Sequence, residues 1–141
     1  MEQRVSLITL GTRDMAAQAA FYEALAWQRV DSPDGVIAFD LLGQTLGLYP
    51  LAALAKEIGV AVDDLGRGAL TLSHNVRAKE EVGAVLERAA GAGAEVLRDP
   101  YDVFWGGHIA YFADPEGHVW EVAFNPFSAL GPDGAFRWQG Y

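Results

Sequence analysis

Asp114-Pro115-Glu116-Gly117-His118-Val119-Trp120-Glu121 reads as a tight turn that launches a β-strand. Asp-Pro starts the turn, and Gly117 supplies a positive φ that other residues resist. Along the strand, Val119, Glu121 and Ala123 share one face, while His118, Trp120 and Val122 share the other. A carboxylate is thereby carried among apolar neighbours, where an unpaired charge is costly. Glu121 therefore requires a partner, a proton, water or a metal.

Working outward, the same order of elements occurs twice. Residues 4–11 read as a strand carrying Val5, Leu7 and Leu10. Asp14 is placed to cap a helix running to about Leu25, with Ala17, Phe21, Ala24 and Leu25 at inward spacing. Strands are expected over 28–31, 36–41 and 44–49, separated by Ser32-Pro33-Asp34-Gly35 and Leu42-Gly43. A short helix (51–57) and a polar linker (63–68) follow. Then come a strand at 69–76, a helix at 79–91 with Val82, Val85, Leu86 and Ala89 inward, a stop at Gly93, and strands at 95–98, 107–113 and 118–125.

The fold class is therefore α+β, two tandem βαβββ modules forming a concave mixed sheet. Within one domain (1–141), the first module covers 4–50, a linker with a short helix 51–68, the second module 69–126, and an aromatic tail 127–141. The offset between first strands is about 65 residues. Pairing two modules covers their sheets and creates a shared concavity. Its expected lining is Leu7, Thr9 and Gly11, with Leu70 or Thr71, Ala38 and Asp40, while Ile37, Phe39 and Leu41 face the helix.

With 51% hydrophobic and 21% charged residues over 141 positions, the composition is that of an ordinary globular chain. No apolar run reaches membrane-spanning length and no signal-peptide pattern opens the chain, so a soluble cytoplasmic protein without a membrane partner is expected. Zero cysteines exclude disulfides, thiolate metal sites and cysteine nucleophiles. Ten basic against nineteen acidic residues give a net charge of −9, which argues against nucleic acid. The same charge suits a cationic ligand, or simply solubility. Gly106-Gly107 lacks the lysine and helix of a phosphate loop, and no His–Asp arrangement marks a hydroxyl nucleophile.

Leu10-Gly11-Thr12-Arg13-Asp14-Met15, Phe21-Tyr22, Ala92-Gly93-Ala94-Glu95-Val96 and the stretch from Phe112 to Val122 occur in an order that resembles the vicinal oxygen chelate superfamily. That superfamily includes glyoxalase I, extradiol dioxygenases, fosfomycin-resistance proteins and bleomycin-binding proteins. The resemblance spans residues 4–126 and implies modules paired within a chain or across a homodimer. Metal-dependent members draw ligands from four strands onto one divalent cation. Carried onto this chain, those positions hold Leu7, a residue at or near Gly47, Thr71 and Glu121. One carboxylate falls short of the three or more donors that a catalytic metal needs.

The resemblance thus implies a metal-independent protein that binds a small cationic or aromatic molecule, with no cofactor. The alternative is a divalent-metal lyase or dioxygenase with a rearranged site at His74, His108 and Glu121. Against it, His74 reads as a bonded strand-end residue and His118 as a solvent or helix-side one, whereas His108 stands near the expected cavity mouth. The ligand-binding candidates are Asp40, Tyr49, Trp105, His108, Ile109, Tyr111, Glu121 and Ala123. Trp105, on a Phe104-Trp105-Gly106-Gly107 loop, either stacks on the ligand or plugs the sheet edge. Glu121 either contacts the ligand or closes a network with Tyr111, Thr9 or Thr71.

Overall fold

The structure, a computed structural model, describes residues 5–30, 35–65 and 70–140. Arg4, Asp31, the Ser32-Pro33-Asp34 turn, the junction at 66–69 and Tyr141 lie outside the described residues. Two compact units, residues 1–68 and 69–141, divide the chain. Each has a four-stranded mixed sheet with the same strand order.

In the first unit, β1 (Leu7–Thr12) leads into α1 (Met15–Ala24), then β2 (Arg29–Val30), β3 (Ile37–Leu41), β4 (Gln44–Pro50) and α2 (Leu51–Ile58). The sheet order is β1-β4-β3-β2, with β1 parallel to β4 and the other pairs antiparallel. Asp14 caps α1 as expected, its carboxylate accepting the Ala17 amide at 3.0 Å. Alternation then sorts the sheet residues. Leu10, Phe39, Leu46 and Leu48 are buried on the α1 side, where Tyr22 meets Phe39 with ring centroids 5.6 Å apart.

The inward face of α1 differs from the spacing-based expectation. Gln18, Ala19, Phe21 and Tyr22 are buried, whereas Ala17 and Ala24 are exposed. Two adjacent large rings outweigh scattered alanines, because buried area rather than apolar count sets the rotation of a helix. The end of α1 explains why Tyr22 turns inward. Ala26 has φ +69, its amide donates to Glu23 O, and the Trp27 amide donates to Tyr22 O. This is a Schellman motif, and its apolar contact is the Tyr22–Trp27 stack at 5.0 Å.

The second unit repeats the plan. It runs β5 (Leu72–Asn75), α3 (Lys79–Gly91), β6 (Glu95–Asp102), β7 (His108–Ala113) and β8 (Val119–Phe124), in sheet order β5-β8-β7-β6 with β5 parallel to β8. Helix α3 buries Val82, Leu86 and Ala89, while Val85 stays half-buried. On the sheet beneath, Ala110, Phe112, Trp120 and Val122 are buried, with Phe112 and Trp120 stacked at 6.2 Å. This helix also ends in a Schellman motif: Gly93 (φ +106) bonds Ala90 O and Ala94 bonds Ala89 O. Glycine fills the left-handed position here, and alanine fills it in the first unit.

The turn before β8 is organised by Asp114. Its buried carboxylate accepts the amides of Glu116 and His118 and meets His118 Nδ1 at 3.0 Å, while Gly117 takes φ +88. After β8 the tail folds back on its own unit. Asn125 and Ser128 bind the Gly140 carbonyl, and the Arg77 guanidinium binds the carbonyls of Leu130, Gly131 and Pro132.

The left-handed alanine yields a stability prediction. Ala26→Gly relieves the Cβ crowding at φ +69, partly offset by a more flexible unfolded chain, and should raise the unfolding free energy by about 0.5–1 kcal/mol. Urea denaturation measures this, and the equivalent Gly93→Ala change should act in the opposite direction.

Candidate functional site

Glu121 lies in a polar row that crosses the second sheet on the face turned away from α3. Parallel pairing sets Ser73 beside it on β5, and antiparallel pairing sets Tyr111 beside it on β7. Ser73 Oγ donates to Glu121 Oε1 at 3.1 Å, and Tyr111 OH donates to Oε2 at 2.6 Å. Burial, followed by the Glu121 carboxylate, holds the Tyr111 phenol far above its ordinary pKa, so it stays a proton donor. Beyond Tyr111 the row continues to Arg98 on β6, whose guanidinium lies 3.5 Å from the centroid of the Tyr101 ring.

An apolar strip adjoins this row. Ile109 and Ala123 pair directly between β7 and β8 and are both buried. At the hairpin end, Val103 N donates to Gly107 O, and Gly106 takes φ +89. A Cβ on Gly107 would lie 1.9 Å from the Trp105 ring, so glycine is what lets that indole lie across the turn. The alternation of β7, carried back one residue, puts Gly107 on the side of Ile109 and Tyr111. Among the ligand-binding candidates, Trp105, Ile109, Tyr111, Glu121 and Ala123 therefore belong to one face.

The histidines do not join them. His74 follows Ser73 on β5, so it turns to the α3 side, where desolvation pushes its pKa down against the charge of Glu81. His108 alternates with Ile109 and lies with Ala110 and Phe112 on the α3 side. Its Nδ1 meets Asp102 at 2.7 Å, and Asp102 also pairs with Lys79 of α3. Lys79 first, then His108, holds the Asp102 carboxyl below its ordinary range. The expected position of His108 at a cavity mouth is thus replaced by a structural triad, because strand alternation leaves it opposite Tyr111. His118 is held by Asp114 in the turn.

In the first unit, Leu7, Thr9 and Gly11 lie away from α1, as the strand pattern requires. Asp40 shares that face, accepting from Thr45 Oγ1 at 2.9 Å. Tyr49 OH donates to Glu57 of α2 at 2.6 Å, which raises its pKa. Helix α2 covers one end of this face: a Cβ on Gly11 would fall 2.5 Å from Leu51 Cδ1.

Of the positions at which the resemblance implies metal ligands, one carries a carboxylate, Glu121. Leu7 and Gly47 bring no donor atom, and a Cβ on Gly47 would already sit 3.3 Å from Leu7 Cδ1. Thr71 lies one residue before β5, and both Glu121 oxygens accept hydroxyl hydrogen bonds. Among the described residues, no group of three or more His, Asp or Glu side chains is placed to hold a cation. The rearranged set of His74, His108 and Glu121 is split between the two faces of the sheet.

Three residues of this face, Ser73, Arg98 and Tyr101, are not marked by the strand pattern of the sequence. Ser73, not Thr71 or Thr9, is the hydroxyl on Glu121, and the helix start signals this: Thr9 lies five residues before the Asp14 cap, and Ser73 five before the Ala78 cap. For Arg98 and Tyr101 the sequence signal is opposite, since Asp99-Pro100 reads as a strand end. β6 runs on to Asp102 because it is an edge strand, where the missing proline N–H costs nothing to the ladder.

Two predictions follow from this geometry. The raised Tyr111 pKa contributes stability in full below the unfolded value of 10.0, and that contribution is lost as pH rises through the higher folded value. Tyr111→Phe should therefore flatten the loss of stability above pH 10.0 in urea titrations across that range. Gly107→Ala should drive Trp105 off the turn, seen as a red-shifted indole emission in a background where the other tryptophans are replaced by phenylalanine.

The Glyoxalase/Bleomycin resistance protein/Dioxygenase superfamily model matches residues 4–122. Among solved structures, a glyoxalase-related enzyme from Fulvimarina pelagi is 37% identical, covering 99% of this chain and 100% of that one, with a TM-score of 0.90. A glyoxalase/bleomycin resistance protein/dioxygenase family enzyme from Burkholderia phytofirmans PsJN is 25% identical over 84% of this chain and 96% of that one, with a TM-score of 0.74. Lactoylglutathione lyase from Agrobacterium tumefaciens, 20% identical over 89% and 96%, shares the fold at a TM-score of 0.65. No curated protein matches the chain. No described helix is long and apolar enough to cross a membrane. Repeated βαβββ units, the Asp114–Glu121 turn and strand, and these matches agree: the chain belongs to the Glyoxalase/Bleomycin resistance protein/Dioxygenase superfamily.

Proposed function

We propose that this protein binds a small aromatic or cationic molecule without a metal, on the Glu121 face of its second unit. The observation that carries this reading is the Ser73–Glu121–Tyr111 row beside buried Ile109 and Ala123. Two hydroxyls aim the carboxylate and leave its remaining lone pairs to accept from a guest, since a carboxylate offers about four acceptor sites. The apolar strip and the Trp105 indole supply contact area for a ring. The net charge of −9 favours a cationic guest by raising its local concentration. A homodimer that encloses the ligand, in a cytoplasmic setting, belongs to the same proposal.

The reading is tested by thermal shift with benzylamine and related aromatic amines, combined with elemental analysis of the purified protein. Ligand at about one hundred times Kd should add about 2.7 kcal/mol of stability, and Glu121→Gln should abolish the rise in Tm. One divalent metal per chain, lost in Glu121→Ala, would overturn the reading in favour of a metal-dependent enzyme.

A further inference from the structure

The edge of the second sheet carries a feature that the Glu121 face does not need for a purely cationic guest. Arg98 pairs with Tyr111 and Tyr101 pairs with Ile109, so both occupy the face of Glu121. In a regular strand, residues three apart point to opposite sides. Here the register shifts between Arg98 and Tyr101, and this irregularity at Asp99-Pro100 brings both side chains to the same side. The result is a guanidinium carbon over a phenol ring, 3.5 Å from its centroid. Among the described residues no carboxylate makes an ion pair with Arg98. The planar fork of donors therefore keeps its hydrogen-bonding edge while its face is stacked. Arg98 stands directly against Tyr111, and Tyr111 stands directly against Glu121, so the three lie in one row across neighbouring strands.

Resting on the reading of this face as a binding surface, we infer that Arg98, oriented by Tyr101, is an anion-binding subsite beside Glu121. The ligand class is accordingly amphoteric: a carboxylate or similar planar anion meets Arg98, and a cationic or hydrogen-bond-donating group meets Glu121. One strand separates the two residues, and strands lie about 4.8 Å apart, so the backbones are about 10 Å apart. A single substituted ring spans that distance once the side chains reach inward. Arginine suits the role because its paired donors match both oxygens of a carboxylate, which lysine cannot do.

The experiment is calorimetric titration of the full chain with three matched probes: para-(aminomethyl)benzoate, benzylamine and benzoate. The amphoteric probe should bind about tenfold tighter than benzylamine, the gain expected of one charge-assisted contact. Arg98→Gln should remove that advantage, so that para-(aminomethyl)benzoate binds the variant no tighter than benzylamine does. Tyr101→Leu, which removes the stacking platform but keeps the charge, should lose part of it. Glu121→Gln should weaken both amines. If para-(aminomethyl)benzoate binds no tighter than benzylamine, or keeps its advantage in Arg98→Gln, the anion subsite is overturned and the Glu121 reading stands. If none of the three probes binds, the subsite and the reading beneath it both fail.

Discussion

A carboxylate on a sheet face must have its lone pairs filled, and on this chain the register of one parallel strand pair decides how. Ser73 stands against Glu121 only because Leu72 stands against Trp120 and His74 against Val122. Those neighbours are fixed from the other side of the sheet, where Trp120 and Val122 are buried with α3. A slip by one residue would turn Glu121 into that core and Val122 out of it, at the cost of a buried charge. Helix-side packing therefore controls the chemistry on the opposite face. The Asp114 turn fixes where β8 begins, and so feeds the same register.

The two units follow one plan to opposite ends. Thr9, Gly47 and Ala38 form the row in the first sheet that Ser73, Glu121 and Tyr111 form in the second. The first row carries almost no side chain, and Leu7 approaches the space that a residue larger than Gly47 would need. The second concentrates the polar groups. Even the helix ends keep the common geometry, with Ala26 and Gly93 in the same left-handed position. The two units match in backbone hydrogen bonding more closely than in side-chain identity, since a Schellman motif depends on dihedral angles and only secondarily on residue type.

How far the site could be read from sequence varies with the kind of signal. Glu121, Tyr111, Ile109 and Ala123 share a face because strand alternation is rigid and their strands are regular. His108 obeys the same rule but was expected at a cavity mouth, since its link to Asp102 and Lys79 is a tertiary contact that spacing does not encode. Arg98 and Tyr101 lie beyond alternation altogether. Their common side comes from a register shift at a proline on an edge strand, and a proline in sequence signals an end more readily than a bulge. The face of α1 departs from the spacing-based expectation for a different reason: the size of Tyr22 and Trp27 counts for more than the spacing of small residues.

By itself the sequence determined the element order, the twofold repeat, the capped start of α1 and the turn into β8, because dihedral preference and hydrophobic period are local properties. It also left no donor side chain at Leu7 and Gly47, positions at which the resemblance implies metal ligands. Only the tertiary structure decided that Ser73 meets Glu121, that His74 and His108 face α3, and that Arg98 stacks on Tyr101. Each of these depends on which strands are neighbours and in what register, and register is set by packing between segments distant in the chain.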